Sequence, residues 1–471
     1  MEQRVVPPSF KKFEVPAHPT GGYLSALAHR LPSLDGPGTT YSRSSRQRRN
    51  ICEALPEKLS YLGRIFAASA LEFLTQTTRY RRAVGVILHF MTLPLARIGQ
   101  PLQVRDREVE FSLYPMARTN RRWGIHSTLY AADPWAVIAG SVNDAIPTPS
   151  DRSAAASFIR QAREYFSAAE RATSVETRPL LYYYSFLNLA KAISMGRGRS
   201  GLVGKVSHGI AHVGGPGTGH TPATARLQIG ASDPTPGGTK SAIDELHWAL
   251  EGTNVPTGHY SVSEIIPQSV IGHRMWREAF TQPRMERFIP IETVKFLHDD
   301  AATHIWLNVY LNRSTLRARG RGITEVLRES RLDGTFAAAT IPDPGGSSKY
   351  HLLQQRVPTT YTGRAADVVV EAVSGVKPNV WQTVTAVPPY RRFYLYLSPE
   401  TERRMPQWLS IYATLFWLGS LTRYQPVELF QALDGPYGPF FREFLETQPK
   451  QLLYILASDA KRQNVTKAAV V

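Results

Sequence analysis

The stretch Arg178–Ala192, RPLLYYYSFLNLAKA, constrains this chain more than any other. Pro179 suits a first helical turn, where an N–H is not needed. Leu180, Leu181, Phe186, Leu187 and Leu189 supply apolar surface, so the segment reads as a buried helix. Tyr184, Asn188 and Lys191 fall at i, i+4 and i+7 and share one face. Such a polar stripe inside an apolar helix points to a hydrogen-bonded site. His208 follows in SHGI (Ser207–Ile210), beside a glycine. Upstream, Ser150-Asp151 offers an N-cap. Phe158, Ala162, Tyr165, Phe166 and Ala169 then repeat at core spacing. The short connection ATSVET predicts that the two helices form an antiparallel hairpin.

Beyond the hairpin, Ile210–Ser241 is rich in Gly, Pro and Thr and, apart from a short ARLQI strand, reads either as a mobile loop near His208 or as an inserted β-hairpin. Ser241–Leu250 is expected to be helical. Ser261 and Glu264 make a capping box before Ile265-Ile266. HIWLNVYLN (His304–Asn312), ADVVVEAV (Ala366–Val373) and RRFYLYLS (Arg391–Ser398) have strand composition. Trp408–Thr422, Val427–Leu433 and Pro439–Ala457 read as helices. The expectation is a mixed α+β fold. A helical core (131–210 and 400–460) would surround a loop (210–241) and a β-rich insertion (285–400). Ahead of it would come a flexible basic arm (1–50) and a small α+β accessory domain (51–125), with a helix over Leu55–Thr75, a strand in Arg79–Pro94 and another at Glu108–Leu113.

Charge and cysteine content narrow the function classes. The net charge is +17, and residues 1–125 alone hold 19 Lys+Arg against 9 Asp+Glu. Such a field attracts polyanions. Arg43, Arg46, Arg48 and Arg49 in the arm are candidate phosphate contacts; the alternative is a solvated linker. Arg317, Arg319 and Arg321 alternate and would share one face of an extended segment, with Tyr350, Tyr390 and Phe393 near by, as a single-stranded nucleic acid surface requires. The alternative is a salt-bridged solvent face. One cysteine, Cys52, excludes an internal disulfide. The apolar runs are too short for a bilayer span, and no secretory leader is evident, so a cytoplasmic protein without a membrane partner is expected.

The run REYFSAAERATSVETRPLLYYYSFLNLAKA with SHGI resembles the central signature of the YaaC-like proteins, a bacterial family of unsettled function. LFWLGSLTRYQPVELF with GPFFREFLETQPKQLLYIL, and YSVSEIIPQ at Tyr260–Gln268, extend the resemblance over about 131–460. The resemblance names relatives without naming a reaction. The hairpin with a following Arg/His set is also similar to that of the HEPN ribonucleases, which cleave RNA without metal. Arg199 stands further from His208 than that motif places its Arg and His, and Lys205 stands closer.

Several constellations bear on chemistry. Gly198–Ser207 (GRSGLVGKVS) fails as a phosphate-binding P-loop: its glycine spacing is wrong and Val206 follows Lys205. His208 titrates near neutral pH and suits a general acid/base; the bland alternative is a capping bond to a backbone carbonyl. Arg423 either complements its helix C-terminus or folds back with Tyr424 onto an anion site. Asp244, Glu245 and His247, and His298, Asp299, Asp300 and His304, read as solvated turns, and no metal or cofactor is expected. The leading expectation is a nucleic-acid-associated protein, a metal-independent RNase-like effector of antiviral defence. His208, Asn188, Lys191 and Arg423 would be catalytic, and Tyr184, Arg199 and Tyr424 ligand-binding. The alternatives are a non-catalytic scaffold subunit with protein partners, or a small-metabolite enzyme with an anion pocket. An open basic cleft at His208 favours chemistry; a His208 bonded to backbone favours the scaffold.

Overall fold

A computed structural model describes residues 93–104, 106–115, 128–214, 221–235, 237–279, 286–341, 349–386 and 391–467. The chain divides into two units, Met1–Met91 and Thr92–Val471, and every described residue lies in the second. Arg43, Arg46, Arg48, Arg49, the helix expected at Leu55–Thr75, nearly all of Arg79–Pro94, and Tyr390 lie outside the described residues.

The fold is mixed α+β. Short strands β1 (Gln100–Pro101), β2 (Gln103–Val104), β3 (Arg107–Glu108) and β4 (Thr128–Tyr130) precede the helices. The alternation of Glu108, Glu110 and Ser112 does not extend into a strand: β3 stops at Glu108, and Ser112 folds back to accept from the Tyr114 N–H. Helices α1 (Pro134–Ala145), α2 (Pro149–Arg171) and α3 (Arg178–Gly196) follow. Asp133 caps α1 through the Trp135 and Ala136 N–H groups. Helix α2 starts one residue before the expected Ser150 cap, because Pro149 already supplies a helical φ at N1. The α2–α3 hairpin forms as expected. Ser185 on α3 donates to the Ala162 carbonyl on α2, and Phe166 packs edge-on against Tyr182 and Phe186.

Strands β5 (Ile210–Val213), β6 (Arg226–Ile229) and β7 (Gly258–Ser261) make a small antiparallel sheet, with α4 (Ala242–Glu251) inserted before β7. Residues 261–264 form the capping box that opens the single turn α5 (Val262–Ile265). Helix α6 (Val270–Ala279) leads to β8 (Phe288–Pro290), β9 (Thr293–Asp299) and β10 (His304–Asn312). HIWLNVYLN therefore forms its strand over the expected residues. It is central, with both faces covered: Ile305, Leu307, Val309 and Leu311 enter one core, while on the other face Trp306 lies under the Arg97 guanidinium at 5.0 Å and buried Asn308 accepts from the Gln354 amide. Helices α7 (Arg313–Ala318) and α8 (Ile323–Glu329) and strands β11 (Phe336–Ala339), β12 (Tyr350–Gln355) and β13 (Thr359–Thr360) follow. The sheet order is β1-β9-β10-β12-β11, with β13 also on β10. Residues from the expected accessory region thus supply an edge strand to this sheet.

ADVVVEAV is not a strand. It forms a 3-10 turn and α9 (Val369–Ser374). Its valines have strand composition, but Val369, Ala372 and Val373 are buried at i, i+3 and i+4 while Val370 is 48% exposed. Packing of that helical stripe overrides β-propensity. Strands β14 (Val380–Val384) and β15 (Arg391–Tyr396) join β8 in a third sheet. Helices α10 (Gln407–Tyr424), α11 (Pro426–Asp434) and α12 (Gly438–Lys461) complete the helical core. Strand β16 (Asn464–Thr466) pairs in parallel with β4. Two main apolar clusters result, one helical and one around β10. Among the described residues no helix is long and apolar enough to cross a membrane.

Candidate functional site

Helices α3 and α10 cross at Gly419. A Cβ placed there would lie 3.4 Å from the Leu180 Cα and the Pro179 carbonyl. This close approach brings the end of α10 against the first turns of α3. His208 reaches the same place from the loop before β5. Its neighbour Gly209 holds φ at +74°, and a Cβ there would fall 1.8 Å from the Ser241 Oγ and 2.6 Å from the Ile243 Cγ2. Only glycine satisfies both demands. The flanking bonds, Ser207 N–H to the Lys240 carbonyl and Ala242 N–H to the Ser207 carbonyl, pin the turn to the start of α4.

The result is a cavity of about 410 Å³ lined by Leu180, Tyr183, His208, Ile210, Ala211, His212, Gly214, Phe416, Gly419, Ser420, Arg423, Tyr424 and Gln425. His208 is half-buried. Its Nδ1 hydrogen-bonds the Tyr183 hydroxyl, a side-chain partner rather than a backbone carbonyl, and the two rings stack at 17°. Burial lowers the imidazole pKa, and the Lys191 ammonium lowers it further. Burial likewise pushes the Tyr183 hydroxyl well above the ordinary phenol range, with Tyr412 beside it. Both groups are therefore neutral near pH 7, and Nε2 is the ring nitrogen left for a ligand.

Arg423 is exposed. Its guanidinium sits 5.1 Å from the Tyr184 ring and 5.3 Å from the Tyr424 ring, and it donates to the Tyr424 hydroxyl at 3.0 Å. Among the described residues no carboxylate pairs with it. A guanidinium held between rings with N–H groups unspent suits a planar or tetrahedral oxyanion.

His208, Arg423, Tyr424 and Tyr184 thus come together, Tyr184 supporting Arg423 from behind the cavity lining. The other sequence candidates do not join them. Asn188 is buried and does not line the cavity. Lys191 lies over the Phe158 ring at 5.1 Å and touches the site only through its field, its own pKa lowered by burial. Arg199 pairs with Glu245 and covers the Trp248 ring. Arg317 lies in helix α7, not in an extended segment, so the expected one-sided arginine strip does not form. Arg319 donates to the Phe288 carbonyl, and Arg321 turns inward to Glu325 and Glu329. Asp244, Glu245 and His247 are not a solvated turn: they lie buried on α4, where Asp244 accepts from the Ser232 and Val255 N–H groups and His247 bonds the Thr253 carbonyl. Sequence reading missed Tyr183, His212 and Gln425. Tyr183 is adjacent to the stripe, but no periodicity distinguishes it from a core tyrosine. His212 lies on β5, two residues past Ile210 and on the same side of the strand.

A helical hairpin crossed by a third helix, with a neutral histidine and a ring-held arginine over one cavity, makes up the candidate site of this α+β protein. The profile of the family described as YaaC-like protein matches residues 127–460, and the chain belongs to that family. No curated protein and no solved structure matches it.

Proposed function

We propose that the cleft between α3 and α10 binds a small molecule bearing a phosphate or carboxylate group, with Arg423 as the anion clamp and His208 as the group that takes up or returns a proton. One observation carries this reading: a neutral imidazole and a guanidinium without a carboxylate partner among the described residues line the same cavity. Its volume, about 410 Å³, falls in the range of small-ligand pockets, and Leu180, Ile210 and Phe416 supply the apolar wall such pockets have. The Tyr183 hydroxyl fixes the ring of His208, as a general base requires. The test is titration calorimetry of the full chain with inorganic phosphate and with acetate. Binding of either, weakened about tenfold or more in Arg423→Ala, as loss of a charge-assisted contact predicts, supports the reading. Absence of binding to both anions sinks it.

The net charge of +17 favours a second reading, in which the bound phosphate belongs to RNA and His208 serves metal-independent cleavage. A defence role rests on that same reading. End-labelled RNA incubated with the chain in chelator separates the two. Cleavage lost in His208→Ala supports the nuclease; salt-sensitive binding without cleavage supports a basic binding subunit; neither removes nucleic acid from the account.

A further inference from the structure

A second cavity, of about 460 Å³, opens where the helical core meets the β-rich region. Tyr114, Trp381 and Trp408 form aromatic walls, and the charged groups on it are unevenly matched. Lys377 and Asp459 answer each other at 3.5 Å. Arg404 is consumed by the Ser330, Glu329 and Tyr396 carbonyls. Arg197 and Arg391, which also feel Asp459, are tied to backbone and side-chain oxygens and do not line the cavity.

Two groups of opposite sign remain. Glu251 accepts from the Trp408 indole N–H at 3.1 Å; it feels the Lys377 charge across the cavity but has no cation within ion-pair distance among the described residues. Arg331 spends one terminal nitrogen on the Glu402 carbonyl and has no carboxylate partner among the described residues. Its backbone is held at φ +58°, a conformation a non-glycine residue adopts at a cost. Both line this cavity, yet they do not pair with each other. A half-buried carboxylate and a guanidinium that share a cavity without meeting are complementary to a molecule carrying both charges.

We propose that this cavity binds a peptide-like zwitterion, a free amino acid or a short peptide, with its ammonium at Glu251 against the Trp408 ring and its carboxylate at Arg331. The carboxylate end gains a charge-assisted contact. The ammonium end gains both a charge partner and an aromatic face. The site is independent of the cleft at His208.

The experiment is titration of the full chain with free glycine, leucine, diglycine and triglycine, and with their N-acetyl and C-amide counterparts. At least one free zwitterion is expected to bind, with each blocked form at least about tenfold weaker. Glu251→Gln, which keeps an acceptor for the Trp408 indole, is expected to abolish discrimination against the N-acetyl form. Arg331→Gly, whose relief of the positive φ offsets the lost bond to the Glu402 carbonyl, is expected to abolish discrimination against the amide. A single residue as best binder indicates a free amino acid; a longer best binder indicates a peptide. If no zwitterion binds, or if blocked forms bind equally well, the proposal is overturned. Circular dichroism and urea midpoints of both variants separate loss of binding from loss of fold.

Discussion

His208 is a histidine whose surroundings oppose its charge. Burial comes first among the causes and the Lys191 ammonium second. A pKa depressed in the folded state means that the unfolded chain binds the proton more readily. The associated stability is therefore complete above the unfolded value near 6.5 and falls as pH drops from there toward the folded value. Following the His208 ring protons by NMR should give a midpoint below 6.5, and Lys191→Gln should move it upward. A midpoint unmoved by that substitution would mean that Lys191, the stripe residue furthest along the helix, has no electrical part in the site. Lys191 was legible in the sequence as polar, but not as remote. Three residues that share a helix face are strung over about 10 Å of axis, and a cavity at the first turns of α3 meets only the near end.

At the scale of elements, the crossing of α3 and α10 sets the width of the cleft. A methyl group at Gly419 would make ordinary van der Waals contact with Leu180 and Pro179. Gly419→Ala should thus gain helix propensity without a clash, raising stability by roughly 0.5–1 kcal/mol. Gly419→Leu should force the helices apart and cost roughly 1–3 kcal/mol. Urea denaturation of the two variants tests this, and a destabilised Gly419→Ala would contradict the assigned contact. Both helices were readable from sequence because their apolar runs are long and bounded by Pro179 and Pro406. The hairpin was readable because its connection is short. Ala366–Val373 was misread because composition spoke for a strand while the spacing of Val369, Ala372 and Val373 spoke for a helix. The strip of Arg317, Arg319 and Arg321 was misread because alternation in sequence presupposes an extended segment, whereas Arg317 lies in helix α7 and Arg321 turns inward to Glu325 and Glu329. The meeting of His208 with Arg423 lay beyond the sequence, since it depends on a turn around Gly209 and a crossing at Gly419.

Across the whole molecule, the Lys377–Asp459 pair joins the β-rich region to helix α12. Asp459 is nine-tenths buried, and burial raises its pKa against the opposing pull of Lys377; the lysine is raised in turn, chiefly by Asp459. Removing one partner strands a buried charge. Lys377→Met is expected to cost roughly 1–3 kcal/mol, less than a fully enclosed pair would because Lys377 is about a third exposed. Lys377→Met with Asp459→Asn should recover most of that loss in urea denaturation. A double variant no more stable than the single one would show that the pair is not what couples the two regions. For Lys377 the sign is that of a raised base: its contribution persists through neutral pH and fades only in strongly alkaline solution.

The parallel pairing of β16 with β4 also has a temporal side. A ribosome delivers Thr128–Tyr130 long before Asn464–Thr466, at about 5–20 residues per second. For something like 20–70 s in each round of synthesis the nascent chain carries β4 without its mate. Until that last strand emerges, the growing polypeptide presents an open edge to whatever else is being made beside it.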